Sequence, residues 1–582
     1  MGKLKKLLKK VLTREVIMYI IFGVLTTLVN LIVSFVLEGP FKLDGAWASA
    51  IGIVASILFA YFTNRKMVFN TTAKGFKDNF NEFIKFILGR AVTMVIEQGG
   101  VVIFYSIMGL AFMPVKLSLT IIVVILNFFF SKFFAFKKED CLSPEDKKIK
   151  NIKILLGVLA FTIPLVIFLV IIYVVVYLNG PGTVLNNDMG NQYASFFEFL
   201  KRTLEQGNLS SLYHTLEKND GSFIGLFGYY LASPINILFV ILNNLDVIDV
   251  IPIVIATKIG IASLTAYIFL QHKATSDKKV NNYFFALVLS ICYALCSYNI
   301  VYSNNIMWLD SVYLLPLMFL GIDRLIEKNK NILYIITLAL SLIINYYTGF
   351  MMCIASAIYY VWAQLYKMPK INLENIKKIW KNILFYAISS ILACGVACIM
   401  LVPIFLDLQE GKAASFNLNN INLKENCNIF EVYSKLFFGE GNDNVDLTND
   451  GLPRIYTGTI TLFFVLQYFI SKKHKIKEKI LNGVVIIGFF LCFMTQGLDL
   501  IWHGLSIPNW FPYRYSFVFG AFMVLFAYLQ TISSSKEECR DKKLAIVPSI
   551  VIAISVLILN YMNLVNLTCT YITIVISFLL SI

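Results

Sequence analysis

The chain has 582 residues, of which 58% are hydrophobic and only 15% are charged, with a mean hydropathy of +0.73. A soluble globular protein carries about a quarter charged residues, so the composition excludes that class and predicts an all-α protein that crosses a membrane many times. The net charge of +15 does not indicate nucleic-acid binding, because Lys and Arg concentrate in short loops between apolar runs. That distribution is typical of loops on the cytoplasmic side.

The N-terminal segment from Gly2 to Lys10 is basic and amphipathic. The apolar run after it is too long for the core of a signal peptide, and no small-residue cleavage site follows. We therefore expect a helix on the inner membrane surface and a cytoplasmic N-terminus. The ten cysteines show no Cys-x-x-Cys spacing with further ligands, which favours small buried side chains over a zinc site.

Four apolar runs, at about 16–37, 46–62, 86–110 and 114–136, predict a domain of four membrane helices over residues 1–140. The second run ends in Asn-Arg-Lys and the fourth in Ser-Lys-Phe, and an offset of 67 residues aligns the two endings. The same offset aligns the first helix with the third. A constant offset indicates an internal duplication, and transporters often place the substrate site at such a repeat interface.

Several residues of this domain are candidates for handling a lipid-linked substrate. Arg65 and Lys132 end their helices, where two convergent cations could hold a lipid phosphate, although snorkelling to the headgroups explains them as well. Glu97 lies in an apolar run, where an ionisable group is costly and usually faces a cavity or a partner; a buried hydroxyl as its partner is the alternative. The candidate positions are Asn30, Asn64, Arg65, Glu97, Asn127 and Lys132.

The paired helix endings resemble those of the GtrA-like family, and the resemblance covers the whole domain. Members are four-helix proteins implicated in translocating undecaprenyl-phosphate-linked monosaccharides, so the resemblance implies a flippase. Ala60 stands where the second repeat has Asn127, which puts the symmetry of any polar lining in doubt. Residues 141–153 follow as a charged linker interrupted by Pro144, which we expect on the cytoplasmic side.

Residues 154–582 contain apolar runs for about eleven or twelve further crossings. The uncharged run Ile154–Leu178 is long enough to cross a bilayer and leads outward if the basic loops lie inside. The first outer loop then opens with Asn187-Asp188-Met189-Gly190-Asn191-Gln192-Tyr193. After it, Ala194–Gln206 has a helical pattern, and the aromatic and glycine-rich segment 221–236 predicts helices that lie in the membrane interface.

The polar residues of the outer loops match the needs of sugar transfer from a lipid phosphate. A carboxylate must accept the acceptor's proton or orient a metal that does, and positive charge must stabilise the leaving phosphate. Asp188 and Arg514 are the candidates for these two roles. Asp310 is either a second carboxylate or a helix N-cap. The candidate substrate contacts are Gln192, Tyr193, Asn304, Trp308, Asn345 and Asn509.

Each of these assignments has a simpler alternative. A single loop aspartate such as Asp188 is often only a solvated turn residue. Arg514 begins an apolar run, where it could snorkel to the outer headgroups. Asp188 together with Asp310 could form part of a divalent metal site, so a metal ion stays open as a cofactor.

The second domain resembles the YfhO-like bacterial membrane proteins from about residue 150 to the end. The resemblance is carried by Asp188-Met189 through Gln192-Tyr193, Gly225-Leu226 through Ser233-Pro234, Trp308-Leu309-Asp310 and Pro508 through Arg514. That family looks like the GT-C glycosyltransferases, multispanning enzymes with a catalytic aspartate in the first outer loop, a position that Asp188 occupies. Members usually continue into an extracytoplasmic domain, so we expect acceptor-binding parts to be missing, shortened or supplied by a partner.

Three functions are consistent with the sequence. In the first, a flippase domain delivers undecaprenyl-phosphate-linked sugar to a fused glycosyltransferase of the plasma membrane. This enzyme transfers the monosaccharide to a cell-surface glycan of the teichoic-acid type. In the second, the protein moves lipid-linked sugar without transfer chemistry, and a non-catalytic scaffold is a third possibility. The partners expected for the first are the sugar-lipid, the glycan acceptor, the lipid bilayer and the cytoplasmic-side synthase of the sugar-lipid.

Overall fold

The structure, a computed structural model, describes the following parts of the chain. They are scattered positions within 18–33 and 123–131, and the ranges 45–69, 76–101, 144–174, 184–185, 187–207, 222–242, 244–274, 280–368, 380–410, 424–439, 451–508, 510–533 and 541–581. The chain divides into two compact units, Met1–Lys147 and Lys148–Ile582. Across the described ranges every regular element is helical, which confirms the all-α fold predicted for a polytopic membrane protein.

In the first unit, helix α1 spans Gly45–Thr63 and helix α2 spans Phe76–Val101. Tyr61 of α1 packs on Phe83 and Phe86 of α2, with ring centroids 5.0 and 5.8 Å apart. Asn64 begins a single wide helical turn that continues α1 to Val68. The predicted Asn-Arg-Lys helix ending is therefore still helical.

Helix α3, Pro144–Ile172, begins at the proline that the sequence places in the linker. Proline is well tolerated at the first position of a helix, because the amide hydrogen that it lacks has no partner there. The remaining helices of the second unit are α4 Ala194–Glu205, α5 Ile224–Leu231, α6 Pro234–Ile241, α7 Val247–Lys273, α8 Val280–Ala294, α9 Ser297–Val301, α10 Leu309–Lys328, α11 Ile332–Ile344, α12 Tyr346–Lys367, α13 Trp380–Glu410, α14 Ile429–Ser434, α15 Thr459–Ile470, α16 Ile476–Met494, α17 Gln496–Trp502, α18 Ser516–Ser533, α19 Lys542–Tyr561 and α20 Leu567–Leu579.

Seven described helices are long and apolar enough to cross a membrane, namely α3, α7, α8 with α9, α12, α13, α18 and α19. Helices α5 and α6 meet at a bend of 89° and are together apolar enough for one broken or re-entrant span. The bend follows Ala232-Ser233, where Pro234 starts a new helix. The helix predicted over Ala194–Gln206 is confirmed as α4. The segment 221–236, predicted to lie in the interface, forms α5 and the start of α6.

The second unit has a buried centre and two helices turned largely toward lipid. In α18, 89% of the membrane-spanning residues are buried, whereas the corresponding share for α3 and α13 is 17%. The centre is aromatic: Phe319 of α10 stacks on Tyr359 of α12, with ring centroids 3.8 Å apart. Aromatic stacking of this kind adds to the stabilisation that burial alone provides.

The ends of α7, α10 and α12 meet in an ion cluster at one end of the bundle. Lys273 lies 2.6 Å from the fully buried carboxylate of Asp323, and Lys367 contacts both Asp323 and Glu327 at 3.4 and 2.7 Å. Lys258 of α7 pairs with Asp310 at the start of α10, and Lys273 pairs with Asp323 farther along, so the two helices run in parallel and the start of α10 lies toward the opposite end. That opposite end carries Asp188 and the other outer-loop candidates.

Candidate functional site

The backbone around Asp188 is shaped by its neighbours in the chain. Asn187 adopts a left-handed conformation with φ 49°, which asparagine tolerates better than most residues. Its carbonyl accepts hydrogen bonds from the amides of Gly190 and Asn191 at 3.2 and 3.1 Å. A Cβ at Gly190 would lie 3.0 Å from the Leu185 carbonyl, so glycine allows the chain to turn back closely. The wide turn Met189–Tyr193 then leads into α4.

The carboxylate of Asp188 is half-buried and does not cap the turn that follows it. Tyr193 lies one turn later, and its hydroxyl donates to Asp188 Oδ2 at 3.2 Å. The same hydroxyl lies 3.1 Å from Asn305 Oδ1, so its one proton is shared between two acceptors. Burial, followed by the nearby Tyr230 and the negative charge of Asp188, raises the pKa of Tyr193 well above its usual range. The hydroxyl therefore stays protonated and acts as a donor.

Asp188 faces a small cavity of about 50 Å³. Its lining consists of Asn187, Asp188, Met189, Tyr193, Val301, Tyr302, Asn304, Asn305 and Phe511. One water occupies roughly 30 Å³ of liquid, so the cavity has room for a hydroxyl group or a water molecule beside the carboxylate. An acceptor hydroxyl could thus reach Asp188.

Arg514 is presented by a strained loop. Trp510, Phe511 and Tyr513 all have left-handed backbones, with φ of 60°, 48° and 58°. Such conformations are costly for residues with large side chains and persist only where the surroundings hold them. Tyr298 donates to the carbonyl of Arg514 at 2.8 Å, and Tyr302 donates to the carbonyl of Pro512 at 3.1 Å. Two buried tyrosines therefore hold the loop in place.

The guanidinium of Arg514 lies within cation–π distance of two aromatic rings. It is 4.8 Å from the Trp308 ring centroid and 5.1 Å from that of Tyr347. Its Nη1 is also 3.5 Å from the hydroxyl of Tyr229. These contacts orient a permanent cation rather than leaving it to snorkel. The Arg514 loop contributes Phe511 to the cavity of Asp188, while Arg514 itself is not among the lining residues.

Trp308 and Asn345, predicted as sugar contacts, are buried supports of Tyr229. Trp308 is 1% exposed, and its Nε1 donates to the Tyr229 hydroxyl at 3.2 Å. Asn345 is fully buried, and its Nδ2 donates to the Tyr229 carbonyl at 2.8 Å. Its Oδ1 caps α12 by accepting from the Thr348 amide at 2.8 Å. Both side chains act behind the site surface, through the tyrosine that they position.

Asp310, predicted as a second catalytic carboxylate or an N-cap, forms a buried ion pair. Its Oδ2 lies 2.6 Å from Nζ of Lys258, and both side chains are 1% exposed. Its Oδ1 accepts from Ser233 and Tyr313 at 2.6 and 2.8 Å. It lies inside the first turn of α10, whose N-cap is Trp308, and makes no capping bond. With both oxygens engaged, Asp310 is placed to hold α6, α7 and α10 together.

This geometry also bears on the metal site suggested by Asp188 and Asp310. The bonds of Asp310 to a lysine, a serine and a tyrosine leave it unsuited to share a divalent ion with Asp188. Among the residues that the structure describes, no three His, Cys, Asp or Glu side chains form a group that could hold a metal. The residues of this pair therefore do not fit a metal centre.

The remaining predicted contacts divide into three cases. Asn304 lines the cavity with Asp188. Gln192 is exposed on the turn, and the structure shows no contact of its side chain with the cavity. Asn509 lies outside the described residues, as do Asn30 and Lys132 of the first unit and the side chain of Glu97.

Sequence reasoning missed several residues of the site. Asn305, Tyr302 and Phe511 line the cavity, although the first and last stand inside motifs already singled out. Lys258 could have been found from sequence, because it is the charged residue in the apolar middle of helix α7 and such groups usually have a partner. Tyr229 stands inside the segment from Gly225 to Pro234 that resembles the family, but nothing in that segment assigns it this role.

In the first unit, Arg65 is engaged by α2. Its Nε lies 3.1 Å from Glu82, and it also bonds the side chain of Asn79. Asn64 is 3% exposed. The arginine thus has polar partners next to a buried amide, at the end of α1.

The two repeats differ where the sequence shows Ala60 in place of Asn127. In the second repeat, Thr93 donates to Oδ1 of Asn127 at 2.8 Å. Both threonines also have a carbonyl acceptor on their own helix, Arg90 for Thr93 at 2.9 Å and Phe22 for Thr26 at 2.7 Å. The polar contact is therefore not duplicated, because alanine offers no acceptor.

Comparison with known proteins gives two family matches. Residues 160–582 match the family model described as bacterial membrane protein YfhO, and residues 18–136 match the GtrA/DPMS transmembrane domain. No solved structure matches this chain.

The curated relatives cover the first unit. The cell wall teichoic acid glycosylation protein GtcA of Listeria monocytogenes is 32% identical over 142 residues, which is 24% of this chain and 98% of the relative. GtcA of Listeria innocua is 33% identical over 123 residues, 21% of this chain and 85% of the relative. The uncharacterized membrane protein YwcD of Bacillus subtilis is 30% identical over 121 residues, 21% of this chain and 95% of the relative. The chain therefore belongs to the YfhO family of bacterial membrane proteins and carries an N-terminal domain of the GtrA/DPMS family.

Proposed function

We propose that this protein is a membrane glycosyltransferase of cell-wall glycan modification, fused to a flippase that supplies its lipid-linked sugar. The second unit would transfer a monosaccharide from undecaprenyl phosphate to a cell-surface glycan of the teichoic-acid type. Family membership supports the broad class, and the teichoic acid glycosylation proteins that resemble the first unit support the cell-wall context. The GT-C class and the polyprenyl donor are parts of the proposal.

The observation that supports the proposal is that the loop ending in Arg514 contributes Phe511 to the cavity beside Asp188. An acceptor hydroxyl in the cavity donates its proton to Asp188 as its oxygen bonds to the anomeric carbon. The bond between that carbon and the phosphate oxygen breaks, and the phosphate leaves with the electron pair. Arg514 stabilises the charge that develops on the phosphate. Tyr193, bonded to Asp188 and close to Asn305, orients the carboxylate.

The site's place in the bundle agrees with chemistry at the outer face of the plasma membrane. With a cytoplasmic N-terminus, the ion cluster of Lys273, Asp323 and Lys367 lies inside and Asp188 lies outside. A transporter without transfer chemistry would place its polar groups at the middle of the membrane. Here the polar groups around Asp188 instead meet where helices begin or end.

Substitution of Asp188 tests the proposal. Asp188→Asn keeps the shape of the side chain but removes the base, and we expect transfer to fall by about 100- to 10,000-fold, the usual contribution of general-base catalysis. The measurement is sugar transfer from a polyprenyl-phosphate monosaccharide by purified protein, with melting temperature as a check of folding. Asp246→Asn, at an exposed carboxylate, is the matched control. Normal transfer by a folded Asp188→Asn protein would rule out this mechanism.

For the first unit, we propose that Arg65 contacts the lipid phosphate during translocation. Arg65→Ala should reduce sugar transfer in vesicles loaded from the inner face by about tenfold, while leaving transfer from externally supplied sugar-lipid unchanged. Lys66→Ala, at the exposed neighbouring cation, is the control. Glu82→Gln tests the alternative: an equal loss there would show that Arg65 acts only through its ion pair.

A further inference from the structure

A second cavity, of about 240 Å³, lies near the site described above. The ring of Tyr230 belongs to its wall and packs on that of Tyr193, with centroids 5.2 Å apart, and Tyr193 lines the Asp188 cavity, so the two cavities are neighbours. The lining residues are Gly225, Leu226, Tyr229, Tyr230, Tyr346, Asp407 and Leu408. It is several times larger than the Asp188 cavity and has one carboxylate.

Two glycines of α5 allow the end of α13 to come close enough to form this cavity. A Cβ at Gly225 would collide with the carboxylate of Asp407, and one at Gly228 would collide with Ile404. The Gly225 amide donates to Oδ2 of Asp407 at 3.1 Å. The carboxylate is thus oriented by backbone, and its two oxygens together can accept about four hydrogen bonds.

The lining has the chemistry of a carbohydrate site. A fixed carboxylate can accept hydrogen bonds from neighbouring hydroxyls, and such bonds to a charged acceptor are the stronger kind. Tyr229 and Tyr346, with ring centroids 5.8 Å apart, offer apolar faces for the C–H side of a sugar ring. Pockets that are mainly apolar with a few convergent polar groups are typical of small-molecule sites.

The position of the cavity indicates that it takes a sugar attached to a membrane lipid. Next to Asp407, the side chains of Phe405 and Leu406 are 60% and 56% exposed on the lipid-facing helix α13. A sugar attached to a membrane lipid could therefore enter from this side. Tyr229 lines the cavity, and its hydroxyl lies 3.5 Å from Nη1 of Arg514, the residue assigned to the phosphate.

We propose that this cavity binds the sugar ring of the lipid-linked donor, with Asp407 accepting hydrogen bonds from its hydroxyls. This assignment rests on the proposed function and adds a specificity residue to it. The sugar would lie on the Asp407 side of Tyr229 and the phosphate on the Arg514 side. The acceptor hydroxyl would approach from the neighbouring Asp188 cavity.

The test compares lipid phosphates that carry a sugar with the same lipid phosphate without one. Equilibrium binding to purified protein is measured for a panel of polyprenyl-phosphate hexoses and N-acetylhexosamines, and for bare polyprenyl phosphate. Asp407→Asn keeps an acceptor for the Gly225 amide but loses the charge. We expect it to weaken binding of the preferred sugar-lipid about tenfold and to leave binding of the bare lipid phosphate unchanged. Asp246→Asn should change neither.

Tyr346→Leu supplies a second variant, which removes a ring face without touching the carboxylate, and it should show the same sugar-dependent loss. Equal affinity of wild type and Asp407→Asn for the sugar-lipid would overturn the assignment. So would an equal loss for the sugar-lipid and the bare phosphate, or an increase in KM for the glycan acceptor alone. Because binding is measured without turnover, these outcomes are distinct from failure of Asp188 as the base.

Discussion

Two carboxylates of the second unit, Asp188 and Asp310, stand in contrasting surroundings. Asp188 is half-buried beside a cavity, and its identified protein donor is one tyrosine hydroxyl. Asp310 is 1% exposed, paired with Lys258 and bonded to Ser233 and Tyr313. A buried charge is tolerated only when paired and hydrogen-bonded. The neighbours of Asp310 thus pair its charge and fill its hydrogen-bonding capacity, while those of Asp188 leave room for a substrate.

The comparison shows why position in a motif is a weak guide to role. Both aspartates stand in segments that resemble the same family. Only the three-dimensional neighbours separate a carboxylate that a substrate can reach from one enclosed by α6, α7 and α10.

The largest expected difference in stability between the two sites comes from loss of the buried ion pair at Asp310. Lys258→Met leaves Asp310 charged and unpaired, and we expect it to lower the free energy of unfolding by about 3–5 kcal/mol. Thermal unfolding in detergent measures the loss. Asp188→Asn, which removes a half-buried carboxylate, should change stability far less.

A double variant sharpens the result. Lys258→Met with Asp310→Asn removes both charges and should recover most of the lost stability, because a neutral pair avoids an uncompensated buried charge. Sugar transfer by this double variant then reports on chemistry. Substantial activity supports a structural Asp310, and a stable but inactive protein would contradict it.

A smaller effect is expected where Arg514 lies within cation–π distance of Trp308 and Tyr347. Arg514→Lys keeps the charge but loses the planar group that these contacts orient. We expect kcat/KM for transfer to fall about tenfold, in line with a cation–π contribution near 1 kcal/mol. Steady-state kinetics measure it, and Arg324→Lys, an exposed arginine at the other end of α10, is the control. An unchanged kcat/KM would indicate that Arg514 only snorkels to the lipid headgroups.

The smallest effect concerns Tyr193, which donates to Asp188. Tyr193→Phe removes the hydroxyl but keeps the ring that packs on Tyr230, so we expect transfer to fall only three- to tenfold, about the value of one hydrogen bond. Steady-state transfer assays measure the change. Tyr433→Phe, which loses a bond to Ser555 elsewhere in the unit, should be silent. A loss as large as that of Asp188→Asn would assign Tyr193 a direct part in proton transfer.

Much of the architecture followed from the sequence alone. Uncharged runs of helical length predict membrane helices, because backbone groups in lipid must bond within their own segment. The helix at Ala194–Glu205 followed from its apolar spacing, and the loss of symmetry at Ala60 followed from one residue, since alanine cannot accept the bond that Asn127 accepts. Short motifs were enough to identify the family resemblance of both units.

The tertiary structure decided the roles of the polar residues. Lys258 and Asp310 are 52 positions apart and Gly225 and Asp407 are 182 apart, so no local pattern reveals either pair. Trp308 and Asn345 looked like sugar contacts because tryptophan and asparagine suit carbohydrates, yet both bond Tyr229 from behind. The physical reason is that hydropathy fixes which segments enter the membrane, whereas helix packing fixes which polar groups satisfy one another and which still face a cavity.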